Sequence, residues 1–380
     1  MNGLQLARQF YFDCVQQIIA EHLPELNDRY AAGLIGYGSD VLANDDELSR
    51  DHEWGPMLHI FIDKDLHRRH AEKKDQAFSE FLPASFEGFP TRFNLTDVGA
   101  VMTTEQDEFH HIVITTPGRF LELTLGFDSV PKTDFDWLLV SEQRLLEFTR
   151  GEIFADFVGD ISRLRKKLEY FPDNVWKYKL AFLLEIIPWE DDLISLCGYR
   201  GDHLSMHINL GKTIERIIKL CFLLNKKYCP LSPKWLHREF NKLPELSSDI
   251  EPYLHKAFEE VDYDSKIGHM NKAYDIIIEF MSSRGLCNFY PAELFYFRGN
   301  AKYDFQKTAK EILDKIEGDL KKTTINGIPL GAVDQWINNE DFLMSAVHLA
   351  SAKNIYFAKG KNRDQIGDPM IQHRKGNTNS

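Results

Sequence analysis

The chain has 380 residues, 43% of them hydrophobic and 27% charged, with 45 Lys and Arg against 58 Asp and Glu for a net charge of −13. That length and composition give room for two domains of ordinary size around a substantial core and exclude intrinsic disorder over most of the chain. The acidic balance disfavours broad nucleic-acid binding and leaves room for a local basic pocket only.

An amphipathic pattern opens the chain. Leu6, Phe10, Cys14, Ile18 and Leu23 recur at near-helical spacing and predict a helix over residues 5–26, interrupted by charged and amide side chains that a secretion signal would not carry. No apolar run approaches membrane-spanning length, so no membrane partner is expected. The five cysteines, Cys14, Cys197, Cys221, Cys229 and Cys287, are widely spaced and lack a CxxC pair. They read as free thiols in a reducing cytoplasm.

Extended segments are expected near residues 33–36, 51–62, 91–95 and 98–103. HHIVITT (110–116) is a clearer strand, rich in β-branched residues and punctuated by Pro117-Gly118. From Asp134 onward, segments such as SEQRLLEF, DISRLRKKLEYF, DNVWKYKLAFLLEII and NLGKTIERIIKLCFLLNKKY place apolar residues three and four apart, as helices burying one face do. Pro172, Pro188, Pro230 and Pro233 mark the expected breaks. The fold class is α+β. Residues 1–130 form a mixed sheet flanked by helices, 131–358 a mostly helical domain, and 359–380 a polar, loose tail.

The chemistry concentrates in LIGYGSDVLANDDELSRDHEWGPMLHIFI, residues 34–62. An apolar run ends at Gly38-Ser39. Eleven residues later come Asp51 and Glu53, leading into a second apolar run. On an extended segment the two acids share a face. At a separation of about 5 Å and an effective dielectric near 20 they repel by roughly 3 kcal/mol, which a divalent cation would turn into attraction. The arrangement predicts a Mg2+ (or Mn2+) site on Asp51 and Glu53. Gly38 permits close backbone approach, and Ser39 with a following helix start would offer N–H groups, a hydroxyl and a dipole to phosphate. Asp40 is the awkward neighbour, since its charge repels a triphosphate unless it turns aside or touches the metal.

Gly-Ser, a spacer of about ten residues and an acid-x-acid triplet resemble the signature of the DNA polymerase beta superfamily of nucleotidyltransferases. Ser49 to Glu53 also resembles the corresponding stretch of kanamycin nucleotidyltransferase, with Arg50 inserted. The phrases GSDVLANDDELSRDHEWGP, DWLLVSEQRLLEFTRGEIFAD, YRGDHLSM, LNKKYCPLSPKW and LGAVDQWINNEDFL look like those of an uncharacterised bacterial family of nucleotidyltransferase-like proteins carrying a domain of unknown function. The resemblance implies a nucleotidyltransferase-like sheet domain followed by a helical domain, and an active cleft is expected between them. The expected partners are a nucleoside triphosphate, ATP by default, and an unknown acceptor, expected to be a small molecule.

Other residues are weighed beside that motif. Arg50 and Lys234 could neutralise phosphate, and Tyr228 or Trp235 could stack on a base. Arg200 and Asp202 of YRGD are cleft candidates, or an ion pair at a helix start. The superfamily's third carboxylate has no counterpart in HHIVITT, so an acid would be borrowed from elsewhere, such as Glu122 or Asp128. His52 alternates away from its acidic neighbours, and Gly55-Pro56 limits the strand. Arg163, Arg165, Lys166 and Lys167 read as a solvated helix face, and Asp334 to Trp336 as a helix cap and anchor. GxxxxGK[ST], GxGxxG and GxSxG are all absent. The alternatives are a non-catalytic nucleotide sensor or interaction protein with a degenerate site, and transfer to tRNA or protein.

Overall fold

A computed structural model describes residues 1–97, 99–106, 108–288, 295–297, 300–302, 305–325 and 327–357. The expected loose tail, 359–380, and Val98 lie outside the described residues. The first helix is continuous but not regular: α1 (Gly3–Phe10) passes through a π-helical turn, Tyr11–Val15, into α2 (Gln16–His22). That extra residue per turn rotates the apolar stripe. The buried set therefore continues through Tyr11, Val15 and Ile19 while Cys14 is only half-buried.

Four strands form the central sheet: β1 (Tyr30–Leu34), β2 (Leu58–Ile62), β5 (Ile112–Thr115) and β6 (Glu152–Asp156), in the order β5-β2-β1-β6. A separate hairpin pairs β3 (Arg92–Thr96) with β4 (Gly99–Thr103). β1 runs antiparallel to both neighbours, with Ala31 opposite Phe61 and Asp156, while β2 and β5 are parallel with Leu58 opposite Ile112. The runs YAAGL and LHIFI are apolar without alternation because both sheet faces are covered. On one face Ala32, Ile60 and Ile62 pack with Phe10, Val15, Ile19 and Phe78, the last from α3 (Lys64–Phe81). On the other, Ala31 and Phe61 join Phe120 and Leu121 of α4 (Pro117–Leu125) in a core that continues into the helical part.

The sheet draws on both sides of residue 130, since β6 enters from beyond it. It is flanked in sequence by α5 (Asp134–Leu138), α6 (Glu142–Thr149) and α7 (Asp160–Lys167). Helices dominate from there: α8 (Asp173–Tyr199), α9 (His203–Leu224), α10 (Pro233–Phe240), α11 (Ser247–Glu259), α12 (Tyr263–Ser283), α13 (Phe305–Asp314), α14 (Val333–Trp336) and α15 (Glu340–Met344). Pro188 was expected to end a helix but lies inside α8. Tertiary burial overrides the lost hydrogen bond, because Leu183, Leu184, Ile187 and Ile194 flank it in the core. Arg165 is likewise no simple solvated side chain. It donates to the carbonyls of Thr149 and Arg150 and so closes the end of α6. Among the described residues no helix is long and apolar enough to cross a membrane.

Candidate functional site

Beyond β1 the chain runs in consecutive bends and turns from residue 36 to 43. Gly38 holds φ +140°, and a Cβ there would stand 2.4 Å from Asp40 Oδ1. Only glycine lets the backbone close over that carboxylate. Ser39 Oγ donates to the Ser49 carbonyl at 2.7 Å, tying the start of the loop to the residues just before the acids. The helix expected after Gly-Ser is absent. Asp40 Oδ1 accepts from the Val41 N–H at 2.8 Å, Ala43 takes φ +56°, and only a 3-10 turn, Glu47–Ser49, follows. The dipole expected from a helix directly after Ser39 is therefore missing.

The strand expected over residues 51–62 begins only at Leu58. Glu53 sits at φ +48° and Gly55 at φ +142°, with Pro56 next, and none of these supports a sheet ladder. Asp51 and Glu53 consequently do not share a strand face. They reach their places by other contacts. The Glu53 N–H donates to the Ala100 carbonyl at 2.7 Å, and Glu53 Oε1 accepts from the Ala100 N–H at 3.0 Å. His111 Nε2 lies 3.6 Å from Glu53 Oε2. Asp51 is exposed, with His52 Nδ1 3.1 Å from its Oδ2, so His52 turns toward its acidic neighbour and not away from it. The adjacent His52 imidazole, helped by the Lys234 charge, holds the Asp51 carboxyl below the usual carboxylate range.

Gly38, Ser39, Asp51 and Glu53 line one cleft. Opposite them stand Glu147 from α6, Lys234 and Trp235 from the first turn of α10, and Glu340 from α15. The enclosed space is about 60 Å³. That suits a cation and a phosphate-sized group, whereas a pocket for a whole small molecule is roughly 300–1,000 Å³. Asp51, Glu53, Glu147 and Glu340 outnumber the Lys234 ammonium, so the cleft attracts cations and repels a bare polyphosphate. Burial pushes the Glu147 carboxyl up, opposed by Arg144 3.1 Å away and by the Gln143 amide.

Asp40 is fully buried beneath the turn. Burial lifts its pKa to about 7, with the Asp45 and Glu53 charges adding to the rise, and among the described residues its Oδ2 has no hydrogen-bond partner. Arg50 faces away from the cleft: it donates to the Asp45 and Met1 carbonyls and stacks 4.6 Å from the Trp54 ring. It pins the loop and is not positioned for phosphate. Tyr228 is also displaced from its expected role. Its hydroxyl donates to the Leu168 carbonyl at 2.9 Å and its ring packs on Tyr170 and Phe171. Glu122 pairs with Arg119 at 2.8 Å on α4, Asp202 caps α9 through the Ser205 N–H at 3.1 Å, and Arg200 ends α8. Glu122, Arg200, Asp202 and Asp128 do not line the cleft.

Sequence reasoning missed Glu147 and Glu340 as cleft acids. An acid placed among the core residues Leu145, Leu146 and Phe148 was the legible signal for Glu147. It also missed a buried ion cluster behind the cleft. Lys179 Nζ lies 2.6 Å from Asp334 Oδ1 and 3.0 Å from Glu142 Oε1, while Asp334 Oδ2 accepts from the Glu142 N–H at 2.9 Å. Asp334 thus caps α6, a helix distant in sequence, in place of its own.

Residues 137–236 match the model of a family described as a domain of unknown function, DUF4037. The matched stretch runs from α5 to α10, takes in Glu147, Lys234 and Trp235, and stops short of the Gly38 to Glu53 loop. A solved nucleotidyltransferase-like protein from Exiguobacterium sibiricum is similar at 13% identity and a TM-score of 0.32, over 71% of this chain and 77% of that one. No curated protein matches the chain, so the likeness to kanamycin nucleotidyltransferase has no counterpart here.

Proposed function

We propose that the protein is a metal-dependent nucleotidyltransferase that moves a nucleoside monophosphate from a triphosphate, ATP by default, to an acceptor hydroxyl or phosphate, releasing pyrophosphate. The observation carrying this reading is convergence: a glycine turn, two acids from the same loop and a lysine–tryptophan pair from a distant helix share one small acidic cleft. Carboxylate oxygens are the only charged donors on the acidic wall, which fits a hard cation such as Mg2+ or Mn2+. Asp51 and Glu53 would hold it. When bound, it would neutralise the triphosphate and stabilise charge developing at the α-phosphorus.

The chain's own contributions are distinct from that. Among the described residues, the Gly38 and Ser39 amides have no intramolecular acceptor and line the cleft, so they are suited to phosphate oxygens. Among the described residues Lys234 supplies the one positive charge in the lining, and the largely buried Trp235 ring packs 5.3 Å from its ammonium.

A second reading, a nucleotide sensor without turnover, is favoured by one observation. β5 carries no carboxylate, and the buried Glu147 is already engaged by Arg144. The purified protein mixed with Mg2+, labelled nucleoside triphosphates and a broad acceptor panel separates these readings. Saturable binding with acceptor-dependent pyrophosphate release supports transfer. Binding without release supports the sensor, and absence of binding rejects both.

A further inference from the structure

We propose that His237, Glu251 and His255 form a transition-metal site of the zinc type, separate from the acidic cleft, that staples α10 to α11. His237 sits in the last turn of α10. Glu251 and His255 are one turn apart on α11 and therefore project from the same side of that helix. Glu251 Oε1 lies 3.5 Å from His237 Nε2 and 3.0 Å from His255 Nε2, and the ligand atoms of all three fall within 4.8 Å of one another.

Those spacings can be compared with what a metal would impose. With metal–nitrogen and metal–oxygen bonds of about 2.0–2.1 Å, two ligand atoms of a tetrahedral site stand about 3.3–3.4 Å apart. The two nitrogen–oxygen edges bracket that value. The remaining nitrogen–nitrogen edge closes by rotation of imidazoles that are about half-exposed, 55% for His237 and 54% for His255. A single carboxylate oxygen stands between two imidazole nitrogens at 3.5 and 3.0 Å, and one cation would serve all three groups. Two imidazoles and a carboxylate with an open fourth position suit Zn2+, Ni2+, Cu2+ or Co2+; Mg2+ prefers an all-oxygen shell. None of the three residues lines the cleft.

The consequence runs through α10. This eight-residue helix delivers Lys234 and Trp235 to the cleft from its first turn. A metal joining its last turn to α11 would fix the helix from its far end.

The test titrates chelator-stripped full-length protein with ZnCl2 by calorimetry and with CoCl2 by visible absorbance. One saturable site is expected, with the intense visible bands of four-coordinate cobalt and a rise in melting temperature with zinc. His237→Ala and His255→Ala should each weaken zinc binding more than tenfold with unchanged circular dichroism. The Asp51→Asn/Glu53→Gln variant should keep it. Zinc affinity unchanged in the His237→Ala/His255→Ala protein, loss of the site in the Asp51→Asn/Glu53→Gln protein, or no saturable binding by the stripped wild type would each overturn the proposal.

Discussion

Glu53 and Ala100 exchange two hydrogen bonds, one from the Glu53 amide to the Ala100 carbonyl at 2.7 Å and one from the Ala100 amide to Glu53 Oε1 at 3.0 Å. The β3–β4 hairpin thereby fixes an acid that no regular strand holds. Gly99 makes this approach feasible, since a Cβ there would stand 3.0 Å from Glu53 Oε1. One oxygen anchors the side chain and the other stays available toward the cleft and His111.

Two substitutions separate the anchor from the charge. Glu53→Gln retains a carbonyl oxygen for the Ala100 N–H, so stability should stay within about 0.5 kcal/mol of wild type while nucleotide turnover falls on the order of 10²-fold or more. Glu53→Ala also loses the anchor and should cost a further ~1–2 kcal/mol. Thermal unfolding and pyrophosphate release measure the two effects; equal activity loss with equal destabilisation would contradict the separation.

Asp51 is exposed, and its Oδ2 lies 3.1 Å from His52 Nδ1. Asp51→Asn should therefore leave the melting temperature unchanged. It should raise the Mg2+ concentration needed for half-maximal nucleotide binding by about tenfold or more, as loss of a metal ligand does. Calorimetric titration of nucleotide at a series of Mg2+ concentrations reads this directly, and an unchanged requirement counts against Asp51 as a ligand.

Asp40 gives the turn a pH dependence. Its folded pKa, about 7, exceeds the ordinary 3.8 because burial penalises the carboxylate. The folded state then holds a proton that the unfolded chain has released, so stability is full below about pH 4 and is lost as pH rises through 7. The loss is at most about 4 kcal/mol. Asp40→Asn removes the charge and should show none of this loss. The difference in melting temperature between variant and wild type should grow from pH 4 to 7 and level off above. A constant difference across that range would contradict burial as the cause.

Much of this architecture is legible where burial and spacing agree. The apolar half of β2, β5 and the long helices α8 and α9 follow directly from runs such as LHIFI and KLAFLLEII, whereas β1 lies at residues 30–34 and overlaps the expected 33–36 only at its end. The unread parts have specific causes. α3 carries so many charges that Leu66, Ala77 and Phe78 give little period, yet those few residues suffice to hold it on the sheet. β6 is as long as β1 and β2, but its pairing with β1 is non-local, so nothing in GEIFAD announces the partner. In the cleft, Gly38, Ser39, Asp51, Glu53, Lys234 and Trp235 were named from residue chemistry. Their means of support were misread, because positive φ at Glu53 and Gly55 depends on the distant hairpin. Tyr228 and Arg50 have the right chemistry and point elsewhere, a choice made by side-chain direction within a turn.

Tyr228 illustrates that last point in a measurable way. Its hydroxyl satisfies the Leu168 carbonyl inside the core, and burial pushes its pKa well up. Tyr228→Phe should cost about 0.5–1.5 kcal/mol of stability, the net worth of one hydrogen bond. Nucleotide affinity should be unchanged, while Trp235→Ala lowers it. Chemical denaturation and nucleotide titration of the two variants form the check, and weakened binding in Tyr228→Phe would return that ring to the site.

The Lys179 cluster couples the helical core to the cleft through α6. Burial alone would lower the Lys179 pKa, but Asp334 and Glu142 outweigh it and hold the ammonium charged, while burial pushes Glu142 up. Lys179→Met leaves two buried carboxylates facing each other and should destabilise by ~3–5 kcal/mol near neutral pH. Those carboxylates can recover neutrality by taking up protons, so their folded pKa values rise in the variant and its stability is lost as pH increases. The deficit should therefore be smaller at pH 5 than at pH 8. Combining Lys179→Met with Glu142→Gln and Asp334→Asn removes the like-charge repulsion and should restore part of the loss at pH 8 with little gain at pH 5. Equal deficits at both pH values would show that Lys179 acts through packing of its alkyl stem and not through its charge.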